Sequence, residues 1–371
     1  MEKNVQFKEL QEIVSICMDE IISLKKENQQ LKIKQEELTN FVINLASCQK
    51  EIMTNVEQFN ISIETSIVNL KKFMENSEYE WNDPRRDKNK LFFPQFYTLE
   101  ETIHLIVKGG KSMARFGDGE FAIMTNRKRH DFQHLDSKLA KRLKEVIMSD
   151  EEGFLIGIAD NYGDLNSYNA RAKAGIRQYM TEEIRKEHRQ FLDLNRKYHN
   201  AYVSRPYVMY ADNNTQAPRE RFLNLKRIWD KRNIIFVEGS LTRLGVGNDL
   251  FDNAASIKRI EAPAVSSFDK YDVILEAALK FAEKDTLFLI AMGPSAGVLA
   301  YDLYQSGYQA IDIGHVDLEY EWYLNGSGER CEVKNKYINE LSGGDNVEDI
   351  CDEEYESQVV CVIESLAPNI S

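Results

Sequence analysis

The sequence predicts an α/β protein with a mainly parallel sheet, preceded by a long N-terminal coiled coil. Residues 10–73 contain neither Gly nor Pro, and their apolar residues recur at a 3–4 spacing over many heptads. Beyond residue 95, short apolar runs of strand length alternate with stretches of helical periodicity. Strands separated by helices imply a parallel sheet covered on both faces, in which ligands gather at the loops that follow the strands.

One heptad register holds throughout the N-terminal segment. It places Val14, Ile21, Asn28, Gln35, Val42, Gln49, Val56, Ile63 and Leu70 at position a, and Leu10, Cys17, Leu24, Leu31, Leu38, Leu45, Ile52, Phe59, Ser66 and Phe73 at position d. Leucine-rich d positions with Asn28 at a favour a parallel homodimer, because paired asparagines satisfy each other in that arrangement. The alternative is a helix folded back as a hairpin, but no turn signal interrupts the segment.

Composition shifts divide the chain into four parts. Residues 1–75 are the predicted coil, and residues 76–94 are a polar segment with two prolines that we interpret as a linker. Residues 95–341 carry the alternating pattern of the globular domain. Residues 342–371 form an acidic tail, in which only residues 359–363 are suited to an edge strand.

Charge and cysteine content exclude several classes of function. With 47 basic and 60 acidic residues, the net charge of −13 disfavours nucleic acid as a partner. Five scattered cysteines without paired spacing argue against a disulfide framework or a zinc site. No signal-peptide core and no membrane-length apolar run is present. We therefore expect no transmembrane segment and a cytoplasmic location, which includes peripheral association with the inner membrane face.

The globular part begins with a capping box at Thr98 and Glu101, which predicts a helix ending at Gly109 and Gly110. Strands are predicted at residues 112–117, 153–159, 233–237, 257–260, 286–292 and 310–313. Further helices are predicted at residues 181–195, 219–230, 268–283 and 294–305.

The loop after the first of these strands contains two carboxylates separated by a glycine. Asp118 and Glu120 follow Gly117, where the chain can bend and present oxygen ligands to a divalent cation. Arg115 lies two positions before Gly117, in a suitable place for a phosphate or base contact. An acidic turn that caps a helix is an equally simple interpretation of this motif.

A second loop is rich in glycine and polar residues. Its candidates for donor binding are Glu238, Gly239, Ser240, Arg243, Gly245, Gly247 and Asn248, joined by Gly293 and Ser295 from a similar turn. Glycines there could let backbone N–H groups approach a phosphate, although a plain strand-to-helix connection explains them as well. The spacing is not that of a Walker or dinucleotide loop, so kinase and dehydrogenase functions find no support.

A third loop carries an acidic cluster with one histidine. His315, Asp317, Glu319 and Glu321 alternate with apolar residues and would share one face if the segment stays extended. A carboxylate of Asp317 or Glu321 could accept the proton of an acceptor hydroxyl, and His315 could contact a diphosphate or a metal.

Together these loops resemble the GT-D family of bacterial glycosyltransferases, first defined as a domain of unknown function. The resemblance spans residues 92–341 and rests on ARFGDGE (114–120), EGSLTRLGVGNDLFDNAASIKRIEAP (238–263), FDKYDVI (268–274) and IDIGHVDLEYEWYL (311–324). It implies a Rossmann-like domain, a UDP-sugar donor, and Mn²⁺ or Mg²⁺ held at Asp118 and Glu120. It also implies active-site roles for His315, Asp317 and Glu321.

These observations predict a metal-dependent glycosyltransferase that acts on a glycan, glycoprotein or surface-polymer acceptor. We favour inversion at the sugar, because one displacement needs one base and no nucleophile is evident. Two alternatives remain: a coiled-coil adaptor with a degenerate enzyme-like domain, and another nucleotide-sugar enzyme such as a nucleotidyltransferase or hydrolase.

Overall fold

The computed structural model describes residues 2–81, 93–127, 133–338, 340–341, 344, 347–348 and 350–365. The chain divides into two units, Met1–Lys71 and Lys72–Ser371, which are treated separately. Residues 82–92, in which most of the predicted linker falls, lie outside the described part of the chain.

The N-terminal unit belongs to one unbroken helix, α1 (Glu2–Trp81), so the hairpin alternative is not observed. The helix also runs through residues 76–81, which we had assigned to the linker, because the first helix-breaking proline comes only at Pro84. Apolar heptad side chains such as Leu24 and Leu38 are exposed along it. The long helix is confirmed, whereas its pairing in a coiled coil stays a prediction. None of the described helices combines the length and apolarity needed to span a bilayer.

The second unit alternates strands and helices. Its first half contains β1 (Gln95–Phe96), α2 (Leu99–Gly109), β2 (Ser112–Phe116), α3 (Asp118–Met124), α4 (Ser137–Ile147), β3 (Phe154–Ile158), α5 (Ala170–Tyr179), α6 (Glu182–Arg189) and β4 (Lys197–Asn200). Its second half contains α7 (Ala217–Lys226), β5 (Asn233–Gly239), β6 (Ser256–Ala262), α8 (Tyr271–Phe281), β7 (Leu287–Ala291), α9 (Ala296–Gln305), β8 (Gln309–Asp312), α10 (Val316–Leu324), α11 (Glu353–Gln358) and β9 (Val359–Val362). Short 3-10 turns precede α8 and α9 and follow β4.

Among the described residues these strands form a single sheet in the order β1-β4-β3-β2-β8-β7-β5-β6-β9. Neighbouring strands pair in parallel, as between β2 and β3 and between β7 and β8. The predicted parallel sheet is thus confirmed. Strands β2, β3 and β4 proceed outward on one side, whereas β8 returns to lie beside β2 on the other. The boundary between β2 and β8 is therefore the point where strand order reverses, and ligands bind outside such points in open α/β sheets.

Helices cover both faces of the sheet. Helices α3, α4, α8 and α9 contribute to one hydrophobic cluster, and α2, α7 and α10 contribute to the other. Central strands β3 and β7 are buried along their whole length, which explains their unbroken apolar sequences. The capping box of α2 is formed as predicted: the Glu101 N–H donates to Thr98 Oγ1 and the Thr98 N–H donates to Glu101 Oε2.

The segment that follows β8 differs from expectation. An extended segment was considered there, but residues Val316–Leu324 form helix α10. Gly314, with φ at 43°, turns the chain immediately after β8. The alternating polar residues misled the prediction, because two of them, Asp317 and Glu319, are buried and paired with distant segments.

Other boundaries also needed correction. The helix predicted at 181–195 ends at Arg189. Three elements were not predicted: the polar strand β4 and the helices α4 and α5. In the acidic tail, β9 pairs with β6 at the sheet edge, as residues 359–363 suggested. Other tail positions, namely 342, 343, 345, 346, 349 and 366–371, lie outside the described residues.

Candidate active site

A large cavity lies over the carboxyl ends of the strands, at the boundary between β2 and β8. Its volume is about 1470 Å³, and its lining includes Gly117 after β2, Asn161 after β3, Arg205 after β4 and His315 after β8. Ligand pockets are typically about 300–1,000 Å³, so this cavity is large enough for a nucleotide sugar and part of an acceptor.

Arg115 joins three strands at the floor of the cavity. Its guanidinium donates through Nη2 to Asp312 Oδ1 at 2.5 Å and through Nε to the Asp312 carbonyl at 2.8 Å. Nη1 donates to Ser204 Oγ at 2.6 Å. A Cβ at Gly314 would lie 2.1 Å from Nη2, so only glycine leaves room for this arrangement. We expected Arg115 to contact a phosphate, but three of its nitrogens already hold β8 and the loop after β4 in place.

Asp118 and Glu120 both line the cavity, at the start of α3. The Asp118 side chain is exposed, whereas Glu120 is partly buried and its Oε2 accepts the Gly117 N–H at 2.7 Å. Burial raises the pKa of the Glu120 carboxyl, and the Gly117 N–H opposes that rise. Over the described residues, no group of three or more His, Cys, Asp or Glu side chains is arranged to hold a metal. Two carboxylates nevertheless fit Mg²⁺ or Mn²⁺, since such ions commonly take one or two carboxylates plus substrate phosphates and water.

The two acids expected to act as a base belong to a buried ionic cluster. Lys336 Nζ donates to Asp317 Oδ2 at 2.6 Å and to Glu321 Oε1 at 3.0 Å. Asn248 donates to Asp317 Oδ1 at 2.8 Å and to Glu321 Oε1 at 2.7 Å, and the Gly245 N–H adds a third bond to Asp317. Asp317 touches the cavity but is 2% exposed, and Glu321 does not line it. An extended segment would have presented both acids to the cavity; the helix and Lys336 turn them inward.

Most of the second loop lies away from the cavity. Glu238 is fully buried, accepting from Arg259 Nη1 at 2.6 Å and from the Leu244 N–H at 2.7 Å. Arg243 donates to the carbonyls of Asn335 and Glu348. The expected donor-binding residues that do not line the cavity are Glu238, Gly239, Ser240, Arg243, Gly245, Gly247, Asn248 and Ser295. Gly293 does line it, together with Leu241 and Thr242. Polar residues hold the loop itself: the buried pair of Glu238 on β5 and Arg259 on β6 bonds to the N–H and the carbonyl of Leu244.

A second set of cavity residues was not among those predicted from the sequence. Arg205 follows the short strand β4, which was not predicted because its sequence is polar. Arg205 Nη2 lies 3.3 Å from His315 Nδ1. The Arg205 guanidinium also contacts Glu340, which Arg330 Nε approaches at 3.0 Å. Asp312 was visible as a charged residue at the end of an apolar strand, which is the signal that could have identified it.

The chain is similar to several glycosyltransferases. The family described as "Glycosyltransferase GT-D fold" matches residues 113–341. A probable glycosyl transferase, Gly, of Streptococcus gordonii is 34% identical over 266 residues, which are 71% of this chain and 38% of that protein. Glycosyltransferase GlyD of Streptococcus pneumoniae serotype 4 is 34% identical over 272 residues, covering 71% of this chain and 32% of the relative.

Solved structures show the same likeness. One described as a new glycosyltransferase (DUF1792) from Streptococcus sanguinis superposes with a TM-score of 0.69 at 32% identity, covering 73% of this chain and 100% of that one. Another, described as a domain of unknown function 1792 with a distinct glycosyltransferase fold, gives a TM-score of 0.69 at 31% identity. That match covers 80% of this chain and 100% of the other. The chain spans about a third of the length of the curated relatives it matches. By its matched residues and its fold, this chain belongs to the GT-D fold family of glycosyltransferases.

Proposed function

We propose that the protein transfers a sugar from a nucleoside diphosphate sugar, with a UDP-sugar as the favoured donor, to a hydroxyl of a glycan, glycoprotein or surface polymer. The observation that carries this proposal is the cavity at the β2/β8 boundary, where Asp118 and Glu120 face the same space as Arg205 and His315. A diphosphate needs both positive donors and a cation-binding pair, and the cavity offers both.

Asp118 and Glu120 would hold Mn²⁺ or Mg²⁺. A cation there supplies charge neutralisation for the diphosphate as it leaves. The exposed Asp118 is accessible from the cavity, and the Gly117 N–H holds the Glu120 carboxylate in a fixed orientation. The chain thus contributes the two protein ligands, and the donor and water complete the set.

His315 would bind the leaving diphosphate as a hydrogen-bond donor. Arg205 Nη2 lies 3.3 Å from His315 Nδ1, and a guanidinium can only donate. Nε2 carries a proton both in the imidazolium and in the tautomer that accepts from Arg205 at Nδ1, so Nε2 is the nitrogen that would donate to the diphosphate. The position of His315 directly before α10 places that ring at the cavity wall.

Asp317 and Glu321 would position the site rather than accept a proton. Three donors already engage the Asp317 carboxylate, among them the Lys336 ammonium at 2.6 Å, and its 2% exposure keeps it away from an acceptor hydroxyl. The cluster joins α10 to the second loop through Asn248 and to the segment after α10 through Lys336. Its effect on the reaction is to fix α10, and with it His315.

The exposed heptads of α1 support a further element of the proposal, a parallel homodimer through residues 10–73. Apolar side chains at a and d would be buried by a second copy of the same helix, and Asn28 would pair with itself. Such pairing would bring two catalytic chains together on one polymeric acceptor.

The metal assignment is tested by Asp118→Asn and Glu120→Gln. Each amide removes one anionic ligand, so UDP release in a donor screen should fall by about 100-fold or more. Mn²⁺ affinity in the presence of UDP, measured by calorimetry, should fall in parallel.

The Mn²⁺ affinity of the wild type should rise with pH, because the raised pKa of Glu120 leaves part of that carboxyl protonated at low pH. Glu329→Gln, which removes a charge from the cavity rim, serves as the control; full activity of wild type in EDTA would contradict the assignment.

The role of Asp317 is tested by Asp317→Asn. Leaving Lys336 without its closest partner should lower the free energy of unfolding by about 3–5 kcal/mol, measured by urea denaturation. The fall of kcat at low pH should remain in this variant, because a residue other than Asp317 is expected to act as the base. A variant of wild-type stability in which that fall has disappeared would instead identify Asp317 as the base.

The dimer is tested by single substitutions in α1. Leu31→Lys and Leu38→Lys place a charge at d positions and should yield monomers by light scattering, because a buried ammonium in the seam is costly. Ile33→Lys is the matched control, since position 33 falls at f and its side chain is equally exposed in the single helix. A monomeric wild type, or dissociation by Ile33→Lys as well, contradicts the assigned seam.

A further inference from the structure

The segment after α10 places one carboxylate between two guanidinium groups in the cavity. Glu340 bonds to Arg205 Nη2 through Oε1, and its Oε2 lies 3.4 Å from Arg205 Nη1 and 3.0 Å from Arg330 Nε. All three residues line the cavity, beside His315. Burial alone would raise the pKa of Glu340, but Arg205, His315 and Arg330 together lower it to about 2. The carboxylate is thus ionised at any neutral pH.

This arrangement has the geometry of a phosphate site. Arginine binds carboxylates and phosphates in the same two-pronged way, through parallel N–H bonds to two oxygens. We propose that Glu340 occupies, in the protein without donor, the place of one phosphate group of a nucleoside diphosphate, and that donor binding displaces its carboxylate from Arg205 and Arg330. The inference rests on the proposed function, because it assigns a subsite within the same cavity.

Arg205 has a second partner that cannot leave. Glu319 is fully buried, its Oε2 accepts the N–H groups of Tyr207 and Val208, and its Oε1 lies 3.9 Å from Arg205 Nη1. Among the residues that the structure describes, Glu319 Oε1 has no hydrogen-bond partner, so it can take up an Arg205 N–H when another anion arrives. Arg205 therefore keeps its position while the anion on its other side is exchanged.

Glu340 is the more exposed of the two acids. Its side chain is 20% exposed and it lies in a turn outside any helix or strand. The adjoining segment is anchored elsewhere, by Trp322 Nε1 to the Cys331 carbonyl and by the Tyr337 N–H to the Leu241 carbonyl. A side-chain rotation at Glu340 therefore suffices to open the subsite without unfolding the segment.

Electrostatics requires the exchange. The cavity already contains the carboxyl groups of Asp118 and Glu120, and a diphosphate adds negative charge. If Glu340 stayed between the two arginines, the incoming phosphate would meet a like charge in a partly buried site. Departure of Glu340 keeps the charge around Arg205 and Arg330 nearly constant.

The test compares Glu340→Gln with Glu329→Gln in the full chain. Both variants remove one negative charge from the cavity lining, but Glu329 pairs with Arg171 and both side chains are largely exposed. UDP and inorganic pyrophosphate are titrated with Mn²⁺ present, and uridine serves as the ligand without phosphate. We expect Glu340→Gln to tighten UDP and pyrophosphate binding roughly tenfold, and Glu329→Gln to change both by less than about twofold. Uridine affinity should not change in either variant.

Two results would overturn the inference. Weaker UDP binding by Glu340→Gln would mean that Glu340 orients Arg205 in the donor complex, and equal effects of both variants would mean a general charge effect. A double variant, Arg205→Gln with Glu340→Gln, should lose the gain in affinity, because the subsite itself is removed. Pyrophosphate that binds with the expected pattern while UDP does not would contradict the proposed donor and leave the anion subsite standing. Failure of wild type and Glu340→Gln to bind either anion overturns the subsite.

Discussion

The ion pair between Arg115 and Asp312 is the interaction on which the candidate site depends. It joins β2 and β8, the two neighbouring strands at which strand order reverses, and through Ser204 it also holds the loop that follows β4. Parallel strands align their carboxyl ends but do not connect their loops, so a side chain must do so. One guanidinium thereby fixes the relative positions of the loops that carry Glu120, Arg205 and His315. Gly314 is part of the same constraint, because any side chain there would collide with Arg115.

Buried charge is the second organising feature. Asp317, Glu319 and Glu238 are each removed from water, and each accepts hydrogen bonds from groups elsewhere in the chain. Removing one partner of such a pair is costly, because it leaves an uncompensated buried charge. The buried acids therefore shape the site, whereas the more exposed Asp118 can bind a ligand and the more exposed Glu340 can be displaced by one.

The fold was largely predictable from sequence because its strands are buried on both faces. Unbroken apolar runs such as Phe154–Ile158 and Leu287–Ala291 identify central parallel strands directly. Strand β4 was missed because its sequence, KYHN, is polar and short, and Arg205 was missed with it. Helix α10 was not predicted, because a period of two is visible in its sequence, whereas the buried partners of its acids are not. Asp118 and Glu120 were found because their loop directly follows a predictable strand; Lys336 and Glu340 belong to a segment without periodicity and gave no signal.

The most direct test of this account is a crystal structure of the full chain with UDP and Mn²⁺, in which anomalous scattering locates the metal. The account predicts a metal peak at Asp118 and Glu120, with the diphosphate in the cavity at the β2/β8 boundary and the Glu340 carboxylate turned away from Arg205. A diphosphate bound at the loop that follows β5, or a metal held by residues other than Asp118 and Glu120, would contradict it.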